Sequence, residues 1–208
     1  MNYKIKEKFS FFFMRYLESN KLKIFAVVSL VIVIVFIYCL RCHNKYEGSY
    51  KSLGKAYVAF NHGDHEAGIA FLDDTISKFS KTPAAHHARL IKADILIDLG
   101  NYSEALKILK EVLNDGGNSG VLKPLANVRI IYIYDMKKDY FNAIVFSKKF
   151  IEKYPNHFLV KDIYLNLAEY CFISGSSSEA LKILKEIIVN FPATKEAEKA
   201  QSRLDSCK

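Results

Sequence analysis

The octapeptide EALKILKE occurs twice, at residues 104–111 and again at residues 179–186. The copies begin 75 residues apart, two periods of a short helical repeat. A unit is therefore expected midway, and DYFNAIVFSKKFIEKYP stands there at residues 139–155. A fourth unit, GDHEAGIAFLDDTI at residues 63–76, precedes the first copy. Each unit can be anchored on one small residue: Gly68, Ala105, Ala143 and Ala180, spaced 37, 38 and 37 positions apart. Twelve positions earlier stand Ala56, Ala93, Ile131 and Ala168. Two helices that pack closely need a small side chain where their axes approach, with larger residues filling the groove around it. The pattern predicts helices over 48–61, 64–79, 84–98, 102–114, 121–137, 140–154, 157–174 and 177–190. A final helix over 193–205 caps the stack, as a solenoid requires for solubility. The segment NDGGNSG, residues 114–120, reads as the clearest loop and is expected to divide the array into two pairs of units.

These residues resemble the tetratricopeptide-repeat (TPR) motif, which has small residues at its eighth and twentieth positions, a turn between its helices and often a closing proline. The last unit resembles it best, through Tyr164, Leu167, Ala168, Gly175, Ala180, Leu184, Ile187 and Pro192. The second matches at Ala93, Gly100, Tyr102, Ala105, Leu109 and Val112, without the proline; the third at Tyr134, Tyr140, Ala143, Phe150 and Pro155. The first is degenerate, with Lys55 and Thr75 at positions that are usually apolar. The resemblance covers residues 48–205 and implies an all-α, TPR-like solenoid of about four helix pairs plus a capping helix.

Ahead of the repeats the chain reads IFAVVSLVIVIVFIYCL over residues 24–40, without a charge, between Lys23 and Arg41. At about 1.5 Å per residue this run spans roughly 26 Å, near the lower limit for a bilayer core. Lys23 and Arg41 can snorkel to cover the shortfall, with Tyr38 at the interface. A buried helix would show a polar face, and only Ser29 interrupts this run. A cleaved leader needs small residues behind the run, whereas Tyr38, Cys39, Leu40, Arg41 and Cys42 stand there; neither Tyr38 nor Arg41 suits a lipoprotein cysteine. The expectation is a single uncleaved transmembrane helix. Six basic residues precede it, and four (Arg41, Lys45, Lys51, Lys55) fall in the 20 residues beyond. That bias places a basic cytoplasmic segment at residues 1–23 and the repeat domain on the far side, in the periplasm. Phe9, Phe11, Phe12, Phe13, Met14 and Tyr16 among the lysines read equally as a headgroup-layer segment or as an unstructured tail.

Composition excludes several functions. The formal charge is +8 over 208 residues. Residues 1–23 contribute +4 of it, and the +4 of residues 41–208 is spread without a basic stripe. Nucleic-acid binding needs positive potential concentrated on one face, so none is expected. Cys39 and Cys42 lack the strand-to-helix setting of a redox pair, and Cys171 falls on a helix face that should be buried. Four cysteines leave the pairing open. His62 and His65 flank a turn without further ligands at metal spacing. There is no Gly-rich phosphate loop and no nucleophile elbow. No catalysis, metal, cofactor or small-molecule substrate is expected.

In TPR folds the first helix of each unit lines the concave surface. Carried over, that geometry assigns Tyr57 and Phe60 of the first unit to a partner-binding groove. The second unit adds Asp94 and Asp98, with Leu90 and Ile97 beside them; the third adds Tyr132 and Asp135, the fourth Glu169 and Phe172. Aromatics beside carboxylates suit a segment with apolar and basic side chains; a solvated polar face is the competing reading. A short cytoplasmic head, one span and an exported TPR array resemble the YfgM-like proteins, ancillary partners of the SecYEG translocon. That resemblance implies protein partners: the translocon, periplasmic chaperones or exported clients. Two other readings remain, an envelope-assembly scaffold of the BamD or YbgF type and a receptor whose TPR domain faces the cytosol.

Overall fold

The computed structural model describes residues 21–115 and 120–207, the side chains of Lys21, Leu22 and Ile24 excepted. The basic, aromatic head over residues 1–20 and most of the expected loop, residues 116–119, lie outside the described residues. Among the described residues the chain forms nine helices and no strand. They are α1 (Lys21–Asn61), α2 (His65–Lys78), α3 (Pro83–Asp98), α4 (Tyr102–Asn114), α5 (Leu122–Met136), α6 (Tyr140–Lys153), α7 (Val160–Ile173), α8 (Ser177–Asn190) and α9 (Lys195–Asp205). The chain divides into two compact units, Met1–Gly48 and Ser49–Lys208.

In the first unit the apolar run is helical, and every described side chain from residue 25 to residue 40 is exposed. The Ser29 hydroxyl donates to the Ala26 carbonyl at 2.9 Å, which satisfies the one polar side chain of the run within its own helix. Residues 41–47, expected to separate two helices, are helical as well.

In the second unit, local chemistry sets the helix ends. Asp64, Thr82, Asp139 and Thr194 cap α2, α3, α6 and α9, each accepting from a backbone N–H three residues on, which satisfies an otherwise orphaned donor. The turn between the two helices of each unit needs one left-handed residue five positions before the small anchor. Gly63, Gly100 and Gly175 supply it with φ of 77°, 75° and 78°, whereas the third unit uses Lys138 at φ 57°. Two starts fall later than the sequence suggests by more than one residue. The His157 ring accepts from the Leu159 N–H and stacks on Phe158, so the turn persists until α7 begins at Val160. Ala193 is left-handed at φ 60°, so α9 starts only after Thr194.

Helices pack in chain order from α2 to α9, with added contacts of α3 with α5 and of α7 with α9. Ala105, Ala143 and Ala180 are wholly buried, as are Ala56, Ala93 and Ala168 to within 1%. At Gly68 the fit is tighter still: a Cβ there would lie 2.4 Å from the Phe60 ring. The two departures in the first unit have local explanations. Thr75 is fully buried, its hydroxyl 2.7 Å from the Phe71 carbonyl and 2.8 Å from the Ser52 hydroxyl. Lys55 sets its ammonium over the Phe71 ring. The expected division of the array does not occur. Leu109 and Val112 of α4 share one buried cluster with Ala126 and Ile130 of α5, so the core continues from the second unit into the third. Cys171 is buried in the last cluster as expected, and all four cysteines are free.

Two substitutions separate these effects. Ala143→Phe or Ala180→Phe overpacks a filled contact and is expected to cost about 1–3 kcal/mol. Lys138→Gly removes left-handed strain and is expected to gain about 0.5–1 kcal/mol. Thermal unfolding followed by circular dichroism checks both; a neutral Ala180→Phe would mean that the contact is loose.

Candidate protein-interaction face

The first helices of the four units are the last turns of α1, then α3, α5 and α7, with α9 following as the cap. Their polar side chains form a ladder from unit to unit. The Arg129 guanidinium grips Asp94 with both prongs, at 2.5 Å and 2.7 Å. Arg203 donates to both oxygens of Glu169, at 3.1 Å and 3.3 Å, and stands over the Phe172 ring. The Tyr57 hydroxyl and His87 Nε2 are 3.4 Å apart, with the rings edge to face. The Asp135 carboxylate acts on the Tyr170 hydroxyl as charge and hydrogen-bond acceptor. Burial first, and then this carboxylate, push the Tyr170 hydroxyl far above the ordinary phenol range. Three of these links join residues 34 or 35 positions apart, one repeat along the chain.

The eight face residues therefore differ in kind. Asp94, Asp135 and Glu169 are engaged by the following unit, and Phe172 is half-buried beneath Arg203. Phe60 is a packing residue, its ring covering Gly68 and leaning on His65. Leu90 and Ile97 are core, at 2% and 9% exposure. Tyr57, Asp98 and Tyr132 remain exposed, and Met136 lies exposed one turn beyond Tyr132. The partners Arg129, Tyr170, Arg203 and His87 were missed. For Arg129, Tyr170 and Arg203 the signal is present in the sequence, as a donor 34 or 35 positions after a first-helix carboxylate. Among the described residues no group of three or more His, Cys, Asp or Glu could hold a metal ion.

The Asp135–Tyr170 link gives a pH signature. A phenol whose pKa is raised on folding contributes stability that is complete below the unfolded value of about 10 and lost as pH rises beyond it. Tyr170→Phe is expected to cost about 1 kcal/mol at pH 7. It should also make the alkaline loss of stability above pH 10 shallower than in the parent. Melting temperatures of both proteins at pH 7 and in the alkaline range read this out. Parallel alkaline limbs would mean that Tyr170 is not the group responsible.

Residues 16–149 match the family described as a tetratricopeptide repeat-like domain. Comparison with curated proteins gives no match. Among solved structures, a tetratricopeptide repeat protein from Parabacteroides merdae superimposes with a TM-score of 0.61 at 14% identity, over 78% of this chain and 59% of that one. The apo form of RapI gives a TM-score of 0.59 at 17% identity, over 76% of this chain and 58% of that one. Kinesin-light-chain TPR-like repeats from Podosopora anserina give 0.57 at 13% identity, over 74% and 82%. At these identities the likeness is one of fold alone. Since the family match covers well over half of its residues, the chain belongs to the tetratricopeptide repeat-like domain family.

Proposed function

We propose that this chain is a membrane-anchored protein-interaction scaffold acting beside the protein-export translocon. Its N terminus lies in the cytoplasm, and its repeat domain lies in the periplasm among chaperones and exported clients. The observation that carries the reading is the extent of the family match. It begins at residue 16, ahead of the apolar run, and continues into the third unit, so the family model spans both the apolar helix and the repeats. That helix is long and apolar enough to cross a membrane, and its apolar stretch is wholly unburied. The six-to-four excess of Lys and Arg before it supports the orientation. TPR-like domains act as scaffolds for other proteins, and no catalytic step is assigned.

The ladder refines what a partner meets. Asp94, Asp135 and Glu169 are paired, Glu169 while still exposed, and Tyr57, Tyr132 and Asp98 are the other exposed groups. Aromatic side chains are effective anchors because they bury large area with few rotatable bonds. The bound segment is therefore mainly apolar, with a basic residue near Asp98.

An alkaline phosphatase fused after Lys208 is expected to be active, and a photo-crosslinker at Tyr132 in intact membranes is expected to capture translocon subunits. Tyr132→Ser should remove the cross-linking of a probe at Asp98 while shifting stability by less than about 0.5 kcal/mol. An inactive phosphatase with a bright cytoplasmic fluorescent fusion would reverse the topology and favour the cytosol-facing receptor.

A further inference from the structure

The repeat register exposes one position where the units disagree. Sixteen residues before the small anchors stand Ser52, Arg89, Asn127 and Tyr164, and six residues after them stand Asp74, Glu111, Lys149 and Glu186. In three units the pair is a donor on the first helix and a carboxylate on the second. Ser52 donates toward Asp74 at 3.5 Å. Arg89 lies 3.4 Å from Glu111. The Glu186 charge acts on the Tyr164 hydroxyl. The third unit departs from this pattern, with an amide above a lysine.

That departure coincides with a cavity. The grooves between successive second helices measure about 260 Å³ between α2 and α4 and about 240 Å³ between α6 and α8, but about 560 Å³ between α4 and α6. Asn127 lines the large one with Phe146, Lys149, Glu152, Lys153 and Tyr154. Lys149 and Lys153 outnumber Glu152 there, whereas the smaller grooves hold at least as many acids as bases. Each lysine stands over an aromatic face, Lys149 on Phe146 and Lys153 on Tyr154, which fixes the ammonium groups near the groove. Asn127 is only 7% exposed, and its Oδ1 is buried without a hydrogen-bond partner. A buried amide left unpaired costs about 1–3 kcal/mol, so an unsatisfied one in a native pocket calls for an explanation.

We infer that the α4–α6 groove is a second binding site, built on the second helices, for a peptide carboxylate with an adjacent N–H. The two lysines take the carboxylate, the Asn127 amide takes the backbone polar group beside it, and Phe146 and Tyr154 flank the neighbouring side chain. The carboxylate comes either from a chain terminus or from an Asp or Glu side chain. The site is independent of the first-helix face.

The test is an NMR titration of the full chain, ¹⁵N-labelled in detergent micelles, with three probes. These are acetyl-Ala-Ala-Leu with a free C terminus, the same peptide amidated, and amidated acetyl-Ala-Asp-Leu. Saturable shifts of the Asn127 side-chain amide are expected with at least one carboxylate probe and not with the amidated neutral peptide. A response to the first probe alone identifies a chain terminus; a response to the third alone identifies an acidic side chain. Lys149→Glu restores the residue type of the other units at an exposed position and should weaken binding at least about tenfold. Lys153→Glu provides the same reading should Lys149→Glu alter the fold. No shift at Asn127 with either carboxylate, equal shifts with the neutral peptide, or unchanged affinity in the folded variants would overturn the site.

Discussion

The close approach of two helices at a small side chain is the constraint from which the repeat domain follows. Ala105, Ala143 and Ala180 are fully buried, and Gly68 has a phenyl ring where a Cβ would sit. A larger residue at any of these points would separate a helix pair, and every later pair takes its position from the one before it. Because each helix from α2 to α9 packs on the next, no unit has a complete core alone. Ile144, Ile151, Tyr164 and Phe191 pack against both the central and the C-terminal clusters, so burial is shared along the stack.

Close packing within units leaves the first helices to be joined to one another, and here polar chemistry takes over. The contacts of α3 with α5 and of α7 with α9 coincide with Asp94–Arg129 and Glu169–Arg203. These pairs are partly exposed, so each contributes modestly to stability. Their effect is geometric: a two-pronged guanidinium fixes the relative position of two helices better than apolar contact does. Function is thereby divided by residue type on one face. The carboxylates hold neighbouring units together, while Tyr57 and Tyr132 keep exposed ring surface.

The helices were legible in the sequence because three independent signals agree there: an exact octapeptide repeat, small residues at 37- and 38-residue spacing, and a glycine five positions before three of the four anchors. What escaped was tertiary. Asp94 and Glu169 read as groove carboxylates for a partner because a single helix shows their position and not the side chain that pairs with them. Phe60 read as a groove aromatic because Gly68, which gives its ring a place to pack, looked like any other small anchor. The 114–120 segment read as a divider because Gly and Asn break a helix, yet a break in the chain is no break in a core supplied by Leu109, Val112, Ala126 and Ile130. Each miss concerns a contact between different helices, which the pattern of any one helix does not show.

The claim that face carboxylates serve unit-to-unit coupling is tested most directly by a double-mutant cycle on Asp94 and Arg129. Stabilities of the parent, Asp94→Ala, Arg129→Ala and the double variant give the interaction energy without the contribution of either side chain alone. The account predicts a favourable coupling of about 0.5–1 kcal/mol for this partly exposed, two-pronged pair. Strictly additive losses would contradict it and would return Asp94 to the set of groups free for a partner.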